Sequence, residues 1–278
     1  MNFQRVRNYY LNKVINIIVV MAFLFFVLFI IFVASISSNF QAIPSNSNLL
    51  SSKKIEWGIK RDSNHNQPDL GATNKRIIEE NEGIAIGNKD EKNIYLTFDV
   101  GYEGGYTEKI LDVLKKNNVK AAFFITGQFF KTSEDKVKRM IDEGHIVGNH
   151  TVNHPSLPSC NNDKIKHEII DLHQQVYDKF NYEMKYMRPP KGEYSEACVA
   201  YIYSLGYKTV MWSFAYDDWD KNNQGREEYG KKKIMDNLHN GEVMLLHATS
   251  KDNSNILDEI INKIKKEGYE FKTLDEFK

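Results

Sequence analysis

Five polar clusters in this sequence carry the residue types that hydrolyse bonds at a divalent metal. They are Asp99 in TFDVGYEGG, His150 and His154 in GNHTVNHP, Arg188 in RPPKGEYS, Asp217 and Asp218 in YDDW, and His247 in LLHAT. Imidazoles bind zinc and similar ions, carboxylates act as bases, and an arginine can orient a carboxylate. Together these groups could activate water at a metal and protonate a leaving group.

The two histidines of HTVNH are the candidate metal ligands. Pro155 disfavours helical geometry at His154, so we expect both histidines on a loop that leaves a strand. The zinc-protease helix motif requires a glutamate beside its first histidine. HTVNH has none, which excludes that class of enzyme.

Asp99 and Arg188 are candidates for a base and the group that orients it. Asp99 ends a strand pattern and precedes a glycine-rich turn, which leaves room for a substrate. A turn-capping aspartate is the alternative. Pro189 and Pro190 stiffen the chain after Arg188, where backbone N–H groups could also donate to an oxyanion. The alternative is an ordinary surface loop.

His247 follows the apolar run VMLL and is the candidate general acid, with a satisfied core histidine as the alternative. Asp218 could hold either His247 or Arg188 in place, and Asp217 and Trp219 extend an acidic and aromatic wall. Four other histidines are interpreted as structural or solvent-exposed, namely His145, His167, His173 and His239.

The elements that would position these clusters alternate between strand and helix. The pattern predicts seven strands, at 94–100, 121–126, 145–150, 186–188, 208–214, 243–247 and 269–273. It predicts six helices between them, at 107–116, 134–143, 162–180, 195–205, 227–239 and 255–267. Such alternation predicts an α/β fold with a parallel sheet, here a distorted, incomplete (β/α)7 barrel, with an open doubly wound sheet as the alternative. In a barrel the carboxyl ends of all strands meet at one face.

An apolar segment precedes this pattern. Residues 17–34 form an unbroken apolar run of 18 residues, and basic residues lie before it, so we expect a single transmembrane signal-anchor over 14–36 and a cytoplasmic tail over 1–13. A cleaved signal peptide is the alternative, because Ala34 and the serines after it are small. Residues 37–90 are polar and predict a linker or stalk, which leaves 91–278 as the catalytic domain.

The charge and the cysteine content of the chain exclude two classes of protein. The net charge is zero, which argues against nucleic-acid binding. Cys160 and Cys198 are the two cysteines of the chain, and they are expected to be unpaired and structural rather than a disulfide framework.

In order and spacing, the five clusters resemble the motifs of the polysaccharide deacetylase family, also called carbohydrate esterase family 4, over residues 91–275. TFDVGYEGGYT, RPPKGEYS and LLHATS are most similar to the δ-lactam-biosynthetic muramic acid de-N-acetylases of spore formers. The resemblance implies an incomplete barrel and an enzyme that hydrolyses the N-acetyl group of peptidoglycan amino sugars.

Carried over by position, the resemblance implies a role for each site residue. Asp99 would be the base, Arg188 would orient it, and His247 would be the general acid. His150 and His154 would bind the metal. The remaining residues would shape the substrate and oxyanion site, namely Tyr102, Lys191 through its backbone, Gly192, Asp218, Trp219 and Leu245.

One position departs from the family pattern. Most members have a second aspartate directly after the base, where it binds the metal, and this chain has Val100. We therefore expect a divalent metal, with zinc as the favoured ion, that is weakly held by two protein ligands.

The resemblance also implies a substrate and a setting. The expected substrate is N-acetylmuramic acid that lacks its stem peptide, and the product would close to muramic δ-lactam in spore cortex. An N-acetylmuramoyl-L-alanine amidase would act upstream on the same peptidoglycan glycan strands. The domain would lie outside a cell membrane, in a sporulating cell between the forespore and mother-cell membranes. The alternatives are an N-acetylglucosamine deacetylase of peptidoglycan and a wall-binding pseudoenzyme.

Overall fold

The computed structural model describes Met21, residues 50–62 and residues 64–277. Residues 50–278 form one compact unit, distinct from residues 1–49. The predicted tail over 1–13 and membrane helix over 14–36 lie outside the described residues, apart from Met21. No helix within the described ranges has the length and apolar character that a membrane crossing requires.

Strands and helices alternate along the described chain, as the sequence predicts. The strands are β1 (Ile55–Glu56), β2 (Asn93–Val100), β3 (Ala122–Ile125), β4 (Ile146–Asn149), β5 (Tyr186–Met187), β6 (Glu193–Tyr194), β7 (Lys208–Thr209), β8 (Glu242–His247) and β9 (Glu270–Lys272). The helices are α1 (Ala72–Glu80), α2 (Thr107–Lys116), α3 (Gly127–Thr132), α4 (Glu134–Asp142), α5 (Asn162–Phe180), α6 (Glu196–Ser204), α7 (Glu227–Asn237) and α8 (Lys251–Lys266). Short 3₁₀ turns cover Leu157–Ser159, Pro190–Gly192 and Leu274–Glu276.

Seven of these strands form one parallel sheet in the order β7-β5-β4-β3-β2-β8, and β9 also pairs with β2. The chain beyond β7 returns to the far edge of this sheet. Phe214 forms a parallel bridge with Met244 of β8, and the Leu245 N–H donates to the Phe214 carbonyl at 2.8 Å. The sheet is therefore curled into an incomplete barrel, and the open doubly wound alternative does not form.

The sheet is apolar on both sides, which is what a parallel sheet enclosed in a barrel requires. Alternate residues of β2, from Ile94 to Val100, pack in a large cluster with apolar residues of α2, α5 and α8. Tyr95, whose side chain points the other way, belongs to a second cluster with Phe124, Val210 and Val243. Asp99 follows the alternation of Tyr95 and therefore points to the inside of the barrel.

Residues 50–90 lie differently from the linker predicted over 37–90. β1 pairs antiparallel with β6, and Ile84 forms a bridge with Val210 beside β7. Trp57, Ile77 and Ile78 are buried in a third apolar cluster. The folded domain therefore includes the chain from Leu50 onward, not only from residue 91. The sparse apolar residues of this segment show no periodicity of their own, because they pack against distant parts of the chain.

Other elements also differ from the sequence predictions, among them α3, α8 and β7. α3 was not predicted, and it begins after Thr126, whose side chain accepts a hydrogen bond from the Phe129 N–H. α8 begins at Lys251 rather than 255, because Ser250 caps it through the Asn253 N–H. The strand predicted over 208–214 is regular only at its first two residues, where it pairs with β5.

Candidate active site

The predicted site residues gather at the carboxyl end of the barrel strands, around a cavity of about 490 Å³. Nine of the eleven line this cavity, namely Asp99, Tyr102, His150, His154, Lys191, Gly192, Trp219, Leu245 and His247. The other two, Arg188 and Asp218, are buried and each contacts a residue that lines the cavity. The convergence that the strand–helix pattern predicts is therefore present.

Asp99 forms a buried ion pair with Arg188. The Arg188 Nη1 donates to Asp99 Oδ1 at 2.9 Å, and Asp99 Oδ2 lies 3.5 Å from His150 Nε2. Burial acts to raise the pKa of Asp99, but His150 and Arg188 outweigh burial and hold this pKa below its usual value. Asp99 is therefore a carboxylate at neutral pH and can accept a proton.

The guanidinium of Arg188 is fixed by backbone and rings as well as by Asp99. Its Nε donates to the Val210 carbonyl at 3.0 Å, and its Nη2 donates to the Met211 carbonyl at 3.2 Å. Its carbon lies 4.3 Å from the centre of the Phe124 ring. Burial lowers the pKa of Arg188, and Asp99 offsets part of this effect. These contacts hold the guanidinium in one position, and the guanidinium in turn limits the orientation of the Asp99 carboxylate.

His150 and His154 face each other on the loop that follows β4, and this confirms the loop prediction. The Thr151 hydroxyl accepts a hydrogen bond from the His154 N–H at 2.9 Å, which folds the loop back. His150 Nδ1 lies 2.7 Å from the Arg188 carbonyl, so it carries the hydrogen and donates, and Nε2 presents a lone pair. Burial first, and the neighbouring His150 second, lower the pKa of His154 to about 4.

The separation of the two imidazoles fits a shared ion. Their Nε2 atoms are 3.2 Å apart. Two nitrogens bound to one tetrahedral ion at 2.0–2.1 Å would be about 3.3 Å apart. Across the described ranges, no group of three or more histidine, cysteine or acidic side chains is arranged to hold a metal. The arrangement therefore offers two imidazole ligands, with the Asp99 carboxylate beside one of them.

His247 is held by Asp218. Asp218 Oδ1 accepts from His247 Nδ1 at 2.8 Å, and Oδ2 accepts from the His247 backbone N–H at 2.7 Å. Of the two alternatives left open by the sequence, Asp218 contacts His247 rather than Arg188. Burial acts to lower the pKa of His247, but the Asp218 carboxylate outweighs it and raises this pKa. His247 is therefore positioned to carry a proton on the Nε2 atom that is free of Asp218.

The turn after Arg188 brings the backbone to the cavity. Lys191 and Gly192 both have left-handed backbone conformations, with φ of 62° and 65°. A side-chain carbon on Gly192 would lie 2.8 Å from Trp212 Cη2, so only glycine fits against the indole. Tyr102 and Trp219 are 47% and 63% exposed at the rim, whereas Leu245 is buried in the wall.

The sequence missed several residues that build the cavity. Trp212 and Tyr216 line it, and Asn253 donates to Asp218 Oδ2 at 2.5 Å. The aromatic pair stood in a predicted strand and its flank without any signal of its own. Asn253 was placed before the predicted helix, so its position in the first turn of α8 was not foreseen.

Some polar residues of the sequence analysis lie away from the cavity. Asp217 accepts from Arg226 Nη1 at 2.9 Å and from the Tyr229 hydroxyl at 2.8 Å, so it stabilises a loop. Cys160 and Cys198 are free thiols, as expected.

A curled parallel sheet that fixes a carboxylate, two facing imidazoles and an aspartate-paired histidine at one end defines a hydrolase of the amide- and ester-cleaving kind. Comparison with known proteins gives the family. The model of the polysaccharide deacetylase family matches residues 86–210. The peptidoglycan N-acetylmuramic acid deacetylase PdaA of Bacillus subtilis is 45% identical over 223 residues, which cover 80% of this chain and 85% of PdaA. The chain belongs to the polysaccharide deacetylase family, carbohydrate esterase family 4.

A solved structure of PdaA and one further relative show how far the similarity extends. The solved structure of Bacillus subtilis PdaA, described as a family 4 carbohydrate esterase, superposes with a TM-score of 0.80 at 44% identity and covers 82% of this chain and 98% of that one. The peptidoglycan N-acetylglucosamine deacetylase PgdA of Listeria monocytogenes is 35% identical over 68% of this chain and 39% of its own length.

Proposed function

We propose that this chain hydrolyses the N-acetyl group of N-acetylmuramic acid in peptidoglycan, at residues that have lost their stem peptide. The observation that carries the proposal is the pair of buried dyads, Asp99 with Arg188 and His247 with Asp218, which face one cavity. Asp99 and His247 are register neighbours on β2 and β8, so their side chains project on the same side of the sheet. A base and an acid are thereby placed side by side.

In the proposed reaction, Asp99 takes a proton from the water that attacks the acetamido carbonyl. Arg188 keeps Asp99 ionised and oriented. His247 donates its Nε2 proton to the nitrogen as the carbon–nitrogen bond breaks. The carbon–oxygen bond formed and the carbon–nitrogen bond broken leave acetate and a free amine on the sugar.

His150 and His154 are the proposed ligands of a divalent metal, and zinc is the ion we favour. When bound, the ion supplies Lewis acidity at the reacting carbonyl. His150 is prepared for this role because the Arg188 carbonyl fixes its tautomer. Two protein ligands predict weak retention, since Val100 has no ligand atom.

The remaining cavity residues would hold the sugar. Backbone N–H groups near Lys191 and Gly192 would stabilise the oxyanion. Leu245 supplies an apolar wall, and the exposed rings of Tyr102 and Trp219 offer surfaces for the apolar faces of a sugar ring.

The substrate and its fate follow from the relative and from simple chemistry. PdaA is named as an N-acetylmuramic acid deacetylase, which favours muramic acid over glucosamine for this chain. The amine that deacetylation frees can attack the lactyl carboxyl of the same sugar and release water, which closes a δ-lactam. An N-acetylmuramoyl-L-alanine amidase is the proposed upstream partner, because it removes the peptide that blocks this carboxyl. The proposed setting is spore cortex.

The proposed location is outside a cell membrane. The apolar run over 17–34, with basic residues before it, supports a single-pass anchor over 14–36 with a cytoplasmic tail over 1–13. Residues 37–49 would then connect the anchor to the domain. In a sporulating cell, the domain would face the space between the forespore and mother-cell membranes.

The test is a deacetylation assay with the purified full-length chain on amidase-trimmed peptidoglycan. We expect mass spectrometry to show loss of acetyl and then of water on muramic acid, and a chelator to suppress both until zinc is added. Asp99→Asn, which keeps the side-chain size, should abolish turnover. Deacetylation of glucosamine alone would move the substrate to the second amino sugar. No product on either sugar with any added metal would favour a wall-binding pseudoenzyme.

A further inference from the structure

The charges around the active-site cavity do not balance. Asp99 is paired with Arg188 and Asp218 with His247. The Lys191 side chain also lines this cavity, is exposed, and forms no ion pair or hydrogen bond within the described part of the chain. Both acids of the cavity are therefore paired, and Lys191 is a cavity-lining cation without an acidic partner among the described residues.

Neighbouring contacts keep this lysine available. The adjacent acid, Glu193, is paired with Lys54 at 3.1 Å. Lys191 itself lies between Pro190 and Gly192, in a left-handed conformation with φ of 62°. A residue other than glycine adopts that conformation at a cost, and such residues concentrate at functional sites. The backbone therefore fixes where the lysine side chain begins.

The free charge matches one difference between the two candidate sugars. N-acetylglucosamine is neutral. Muramic acid carries a lactyl ether on carbon 3, next to the carbon that bears the acetamido group, and this ether ends in a carboxylate once the peptide has been removed. With the peptide still attached, the same position is a neutral amide. A cation beside the reacting acetamido group can therefore distinguish peptide-free muramic acid from both other forms.

We propose that the Lys191 ammonium binds the lactyl carboxylate and is the residue that determines specificity for peptide-free muramic acid. This inference rests on the proposed function and adds a residue to it. The backbone role suggested for Lys191 is separate, since the side chain acts on a different part of the substrate.

A second unpaired lysine makes the assignment testable. Lys131 forms no ion pair with any described residue, and it lines an adjoining cavity of about 660 Å³ that shares Tyr102 and His154 with the first. Asp99 and His247 line only the first cavity. Because the lactyl group lies beside the acetamido group, Lys191 is the better placed of the two.

The test compares the full-length chain with Lys191→Gln, Lys191→Arg and Lys131→Gln. The substrates are a glucosaminyl–muramic acid disaccharide with a free lactyl carboxylate and the same disaccharide with that carboxylate converted to a carboxamide. For Lys191→Gln we expect KM for the carboxylate form to rise about 5- to 20-fold, with kcat little changed. The carboxamide form should be unaffected, Lys191→Arg should restore the preference, and Lys131→Gln should keep it.

A binding measurement separates this inference from the proposed function. Calorimetric Kd values for both disaccharides are measured on the Asp99→Asn chain, with and without Lys191→Gln, so that no turnover is needed. Tighter binding of the carboxylate form that disappears with Lys191→Gln supports the inference even if deacetylation fails. An equal loss on both disaccharides, or a loss of preference in Lys131→Gln instead, would overturn it.

Discussion

Substitution of Gly192 by alanine tests the geometry of the cavity wall. Gly192 has φ of 65°, and an added Cβ would lie 2.8 Å from Trp212 Cη2 and 3.3 Å from Trp57 Cβ. Carbon atoms in contact prefer about 3.5–4.0 Å. Gly192→Ala therefore imposes two separate costs, one on the backbone and one on the packing of the indole.

The magnitude follows from these two costs. The left-handed conformation costs an alanine about 1–2 kcal/mol, and the lower entropy of its unfolded chain offsets about 0.4–1 kcal/mol of that. Displacing the indole from a packed position costs about 1–3 kcal/mol. We expect the free energy of unfolding to fall by about 1–5 kcal/mol in total. Because Trp212 also lines the cavity, kcat/KM should fall as well.

Gly206→Ala is the matched control. Gly206 follows α6 with φ of 87°, and no atom of the described residues lies within 4 Å of the position that its Cβ would take. This variant isolates the backbone cost, so its free energy of unfolding should fall by about 1 kcal/mol with kcat/KM unchanged.

Both variants are measured by urea unfolding, and activity is measured on the peptide-free disaccharide. The difference between the two losses of unfolding free energy estimates the steric term. Equal losses of unfolding free energy in Gly192→Ala and Gly206→Ala would show that the Trp212 indole moves aside at no energetic cost, which would contradict the steric role assigned to Gly192. Normal kcat/KM in a destabilised Gly192→Ala chain would remove Trp212 from the catalytic argument.

Three other predictions follow from the buried ionisable groups. Asp218→Asn removes the charge that raises the pKa of His247. Because the proposed reaction needs protonated His247, the alkaline limb of the pH profile of kcat should move to lower pH. A limb that does not move would contradict the assignment of His247 as the acid. Arg188→Lys keeps a positive charge beside Asp99 but cannot make all three hydrogen bonds of the guanidinium. We therefore expect kcat to fall about 10- to 100-fold and the free energy of unfolding in urea to fall by about 2–4 kcal/mol. Wild-type values of both would show that the geometry of the guanidinium is unimportant. Burial lowers the pKa of His145 to about 4, so the unfolded chain binds an extra proton as the pH falls from about 6.5 towards 4, and the free energy of unfolding should decline across that window. Burial lowers the pKa values of His154 and His239 to about 4 as well, so His145→Asn, which does not titrate, should make the decline shallower without removing it.

The sequence predicted the part of the site that depends on strand ends. Asp99 and His247 were placed correctly because hydrophobic runs mark where β2 and β8 end, and parallel strands carry their carboxyl ends to one face. The His150 loop was foreseen because Pro155 limits the backbone before it. These predictions need only local patterns and one rule of topology.

The parts that were missed depend on contacts between distant segments. Asn253 reaches Asp218 across 35 positions of sequence, and Trp57 donates to the Trp212 carbonyl across 155. The sequence predicts a linker over 37–90 because the few apolar residues there have no period of their own. Trp57, Ile77 and Ile78 are nevertheless buried, in a cluster with residues that lie more than a hundred positions further along the chain, and local composition does not reveal such contacts.

The position of Val100 bears on the proposed metal site, which has two histidine ligands. Val100 is fully buried on the helix-facing side of β2, in the same cluster as Phe98, whereas Asp99 points into the barrel. An aspartate at position 100 of this backbone would bring a carboxylate to an apolar cluster, and burying an unpaired charge costs several kcal/mol unless a cation binds it. Valine avoids that cost and stabilises the core, and it supplies no ligand atom. In the proposed site, His150 and His154 would be the only protein ligands of the metal, so we expect its occupancy to follow the concentration of free ion.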